Sequence, residues 1–149
     1  MSEPITAAQL DRLFAAVPHE FHDHEIEGTG VIVPIRRVTI MEILGVSKHY
    51  HGLASALNRD SMSYAGLALE AGADAIATLI SIGIGLKGRK EEAERFKQQL
   101  LNAPDELMMP LGYAIWNLTV GEGSVDDFFI RLRTMGAKAK ILAPLPAAA

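Results

Sequence analysis

The sequence predicts a mainly α-helical single domain of about six helices, with a short extended arm near its N-terminus. Three observations carry that expectation. Apolar residues recur at three- and four-residue spacing along most of the chain, which is the period of one helical face. Capping residues stand ahead of several of these runs, as in Thr6 with Gln9 and Thr39 with Glu42. The 149 residues are 49% hydrophobic and 21% charged, enough for one core without covalent staples. The expected organisation is an acidic N-terminal helix and linker over 1–30, a helical core over 31–136, and a flexible Pro/Ala-rich tail over 137–149.

From the N-terminus, Ala7, Leu10, Leu13, Phe14 and Val17 share one face, so a short amphipathic helix runs up to Pro18. His19 to Gly30 reads as a polar, acidic linker. The run VIVPIRRV is β-branched but holds Pro34. Proline cannot donate to a ladder, so an edge strand or extended arm is expected. The Thr39/Glu42 capping box then opens a helix with Ile40, Ile43, Leu44 and Val46 in its stripe. Leu53, Ala54 and Leu57 extend it past Gly52, and Ser61 or Ser63 caps a further segment that stops at Gly72.

Asp74 opens AIATLISIGIGL, hydrophobic all round, as a central buried helix. Ile80, Ile82, Ile84 and Leu86 also alternate with small residues, so a strand is the rival reading. Ala73, Ala77, Ser81 and Gly85 form a small-residue stripe that would admit a neighbouring helix closely. EEAERFKQQLL is amphipathic, with Glu91 and Glu92 at the N-terminal end that the macrodipole favours for acids. Leu107, Leu111, Ile115 and Leu118 mark the next helix, which Pro110 is expected to kink or split. Ser124 caps the last one, with Phe128, Phe129, Leu132 and Met135 on its apolar face and Gly136 just past its end.

Charge and composition exclude several functions. Lys and Arg number 14 against 18 Asp and Glu, a net charge of −4, whereas non-specific nucleic-acid binding needs a basic face. There is no cysteine, so disulfides, thiolate metal sites and cysteine nucleophiles are absent. The most apolar stretch, Ala75 to Leu86, is 12 residues long, short of the roughly 20 that span a bilayer. The first residues lack a basic then apolar leader, so a cytoplasmic protein is expected. The two ends differ in sign. Glu3, Asp11, Glu20, Asp23, Glu25 and Glu27 face only Arg12 in the first thirty residues, while Arg131, Arg133, Lys138 and Lys140 close the chain with no acid after Asp127. Such ends can pair between copies, so self-association is expected.

Candidate chemistry is sparse. His19, His22 and His24 interleave with Glu20, Asp23 and Glu25, with His49 and His51 as a possible second ligand source. Metal sites draw ligands from fixed geometry on more than one element, and a solvated acidic loop is the simpler reading, so no metal is expected. No G-x-S-x-G elbow or H-E-x-x-H pair occurs. GIGLKGRK lacks phosphate-loop spacing, because Lys90 is followed by Glu91. Glu42, Glu70, Asp74 and Glu106 are lone carboxylates on separate segments. No catalytic residue, cofactor or small-molecule substrate is therefore predicted.

Partner-binding candidates are Tyr113, Trp116, Phe128, Phe129, Arg131 and Arg133. Tyr113 and Trp116 lie three apart on one helix, a spacing that can anchor a partner or close a core. Phe128 and Phe129 are adjacent, so a helix aims them about 100° apart. One is expected inward and the other at a boundary or facing another chain.

Segment order adds a resemblance. A basic extended arm feeds a capped helix (VPIRRVTIMEILGV), followed by AIATLISIGIGLKG, an acid-rich helix, PDELMMPLGYAIWNLTVGEG and SVDDFFIRLRTM. From about Val33 to Met135 this resembles the tail assembly chaperones, or pre-tape-measure proteins, of tailed bacteriophages. The motifs are diffuse hydrophobic patterns without a catalytic signature, and the His-bearing acidic segment falls outside them. The resemblance implies a non-enzymatic protein of the host cytoplasm that coats the tape-measure protein before the tail tube polymerises. A small helical structural or adaptor subunit is the alternative.

Overall fold

The computed structural model describes residues 3–16, 20–26, 28–59, 62–103 and 105–142. Among them are eight α-helices and one two-stranded antiparallel sheet. The helical class is as expected, but the helices number eight where about six were predicted.

Helix α1 (Ala7–Ala16) begins at the predicted capping box: the Thr6 amide donates to Gln9 Oε1 at 2.9 Å and the Gln9 amide to Thr6 Oγ1 at 3.1 Å. Val17, Pro18 and His19 lie outside the described residues. Strand β1 (His22–Ile26) pairs with β2 (Val31–Ile35), with Asp23 opposite Pro34 and Ile26 opposite Val31. β1 corrects the expected linker. Its polar residues alternate on a hairpin whose two strands are both edges, and that is also why Pro34 is tolerated.

The expected single helix over Thr39–Leu57 is two: α2 (Ile40–Ser47) and α3 (His51–Leu57). The break falls at Tyr50, which is extended, and not at Gly52. Tyr50 turns its hydroxyl to Thr78 Oγ1, 3.1 Å away, and accepts from Lys97 Nζ at 3.1 Å. Gly52 instead lets α3 meet the C-terminal carbonyls of α4 (Tyr64–Ala71), a space that a Cβ would invade.

Helix α5 (Ala73–Gly83) settles the helix-or-strand alternative. It ends in a Schellman-type turn, with Gly85 at φ +92° and the Leu86 amide donating to the Ser81 carbonyl at 3.0 Å. Gly85 thus stops the helix and does not extend the small stripe. Of that stripe Ala77 and Ser81 are buried, while Ala73 is exposed. The closest helix approach is instead at Gly83, where an added Cβ would lie 2.6 Å from Ile115 Cδ1.

Helix α6 (Lys90–Leu101) packs on α5, and α7 (Asp105–Val120) crosses it. Pro110 does not split α7. It lies near the N-terminal end on an exposed face, and the helix continues through it. Helix α8 (Val125–Lys138) is capped by Ser124, which accepts from the Asp127 amide at 3.0 Å. Gly136 was expected past its end but lies within it, buried beneath Leu142. Lys140, at φ +58°, makes the left-handed turn instead. The core joins Leu44, Leu53, Leu57, Ile76, Ile80 and Leu132 from α2, α3, α5 and α8.

Candidate partner-binding surfaces

The six predicted partner residues divide between core and surface. Phe128 and Phe129 are 2% and 0% exposed. The expectation that one of them faces outward is therefore corrected. Trp116 meets both rings edge-on, at centroid distances of 5.8 and 6.3 Å, and joins Tyr64 at 6.4 Å. A half-turn difference on α8 is absorbed because α8 is flanked on two sides by packed helices, so both directions are interior. Arg133 is also buried. Only Tyr113 and Arg131 present themselves to solvent, with Arg131 over the Phe128 ring, 6.0 Å from its centroid.

Arg131 belongs to a cleft of about 250 Å³ between the start of α2 and α8. Met41 and Met135, both exposed, lie in it between Arg37 and Arg131. Thioethers are flexible and polarisable, so such a surface adapts to varied apolar partners.

A second depression, about 660 Å³, runs between α2 and α6 over α5. Gly45, Ser81, Ile82 and Ala93 line its interior, with Lys87, Lys90 and His49 also at its surface. No residue of α1 lines it. One end is built on a buried ion pair that pattern reading missed. Arg36 makes two hydrogen bonds of 2.9 Å to the Glu42 carboxylate, which also accepts from the Thr39 amide at 3.0 Å and from Lys87 Nζ at 3.0 Å. Burial alone would raise the Glu42 carboxyl, but Arg36, Thr39 and Lys87 together hold it well below the ordinary carboxylate range. The sequence signal was the capping box itself, which places Glu42 at the helix start six residues after Arg36. At the other end Lys97 bridges Asp74, at 2.8 Å, and Tyr50. The bond to Asp74 raises the Lys97 ammonium above its ordinary value, against a smaller opposing effect of burial.

The histidines do not converge. His22 and His24 lie on one face of β1, and His49 and His51 line different clefts, while His19 is outside the described residues. Among the described residues no group of three or more His, Asp or Glu side chains is placed to hold a metal ion. Among them, too, no helix is long and apolar enough to cross a membrane. Comparison with protein-family models, curated proteins and solved structures finds no match to this chain.

Proposed function

We propose that this chain is a non-enzymatic tail assembly chaperone of a tailed bacteriophage, which holds the long, apolar, helical tape-measure protein in the host cytoplasm until the tail tube forms around it. The observation that supports this reading is the Met41–Met135 cleft flanked by Arg37 and Arg131. A client with many different apolar segments needs a surface that repacks rather than a rigid pocket, and methionine supplies it. The arginines add attraction for the acidic residues that flank apolar stripes on client helices.

Co-expression with the very long helical protein encoded in a neighbouring reading frame tests this. The tape-measure protein is expected to stay soluble and co-purify with the unaltered chain. Met135→Asp with Arg131→Glu, both on an exposed face, should abolish capture while the helical circular dichroism is retained. A tape-measure protein that aggregates equally with and without the chain overturns the reading. Retention of the chain in finished particles at fixed stoichiometry would mark a structural subunit instead.

A further inference from the structure

We propose that α1 of one copy of this chain docks into the α2–α5–α6 groove of a second copy. Helix α1 has ten residues, and isolated helices shorter than about 12–15 residues are marginal in water. Its stability must come from packing, yet no described helix or strand of its own chain packs extensively on it. Leu10 and Leu13, on its apolar face, are 41% and 51% exposed, and Ile5 just before it is exposed as well. The helix is formed and capped but lacks the surface that would hold it.

The groove supplies that surface. Its interior carries small and apolar residues, Gly45, Ser81, Ala93 and Ile82, which let a helix backbone approach while leucines fill the space. Helix α6 forms one wall with twelve residues, about 18 Å, against about 15 Å for the ten of α1. Charge matches too. Lys90 and His49 line the groove without an ion-pair partner among the described residues. The arm that carries α1 holds six acids against one arginine. Within its own chain α1 does not occupy the groove, so the occupant is the α1 of another copy. The contact joins two different surfaces, so it builds closed dimers by exchange or longer chains by head-to-tail addition. It is independent of any client.

Multi-angle light scattering on the purified full chain tests the proposal. The mass is expected to rise with concentration above that of one chain and to fall as salt screens the charges. Leu10→Asp with Leu13→Asp removes the donor helix face. Lys90→Glu with Ala93→Glu blocks the groove. Each pair should raise the dissociation constant by at least about a hundredfold, since each lost leucine contact or reversed charge weakens binding roughly tenfold or more. Circular dichroism checks that both variants keep their helices. Mixing the two variants should then restore a one-to-one heterodimer, because one still offers a groove and the other still offers α1. A single-chain mass at every concentration overturns the proposal. So does association that neither pair weakens, or a mixture that stays monomeric while the unaltered chain associates.

Discussion

Glu42→Ala is the substitution whose cost the structure defines most closely. The Arg36 and Glu42 side chains are each 4% exposed, so solvent does not screen their pair. Without the carboxylate, the Arg36 guanidinium stays buried with the Arg37 carbonyl, at 2.9 Å, as its remaining hydrogen-bond partner among the described residues. Breaking a buried pair in this way costs about 3–5 kcal/mol. The Thr39 amide at the N-cap of α2 also loses its acceptor, for about 1 kcal/mol more. Lys87, 62% exposed, adds little. The sum is about 4–6 kcal/mol, a large share of the 5–15 kcal/mol by which domains are stable. Urea denaturation should show the midpoint falling by about 2 M or more with an unchanged slope. Arg36→Met combined with Glu42→Leu should recover most of the loss, because an apolar pair needs no partner charge. The acid limb of the unaltered chain gives a second readout. The folded Glu42 carboxyl is held below its unfolded value, so its contribution is complete above about pH 4.3 and is lost as pH falls from there through the folded value. Glu42→Gln should flatten that limb. A loss under about 1 kcal/mol in Glu42→Ala, with the acid limb unchanged, would refute the buried-pair reasoning.

Three further outcomes are expected. Ala77→Leu, at a fully buried position of α5, should overpack the core and cost about 1–3 kcal/mol by thermal or urea denaturation; an unchanged midpoint would contradict the packing described. Tyr64→Phe should leave stability unchanged or raise it by about 1 kcal/mol, because the Tyr64 hydroxyl is buried without a hydrogen-bond partner and burial pushes its pKa up to about 12. A marked loss on that substitution would show that the hydroxyl holds a structural water in the adjoining cavity of about 40 Å³. Elemental analysis of protein purified without a histidine tag should find no stoichiometric divalent metal, and about one zinc per chain would overturn the expectation drawn from the histidine spacing.

The sequence by itself determined the helical class and most helix starts, because those depend on contacts three or four residues apart. Thr6 with Gln9, Thr39 with Glu42, and Ser124 with Asp127 cap the helices their spacing announces. Only the tertiary structure decided the events that need a distant partner. The chain breaks at Tyr50 because Thr78 and Lys97 lie across from it, 28 and 47 residues away. β1 forms because β2 pairs with it, although HDHEI has no apolar face of its own. Phe128 and Phe129 are both interior because Trp116 on α7 meets both rings, and no periodicity within α8 could show that. The same limit governs the binding surfaces. Charge and apolar content at the two ends were legible, but the Met41–Met135 cleft and the α2–α5–α6 groove exist only where separate helices leave space between them.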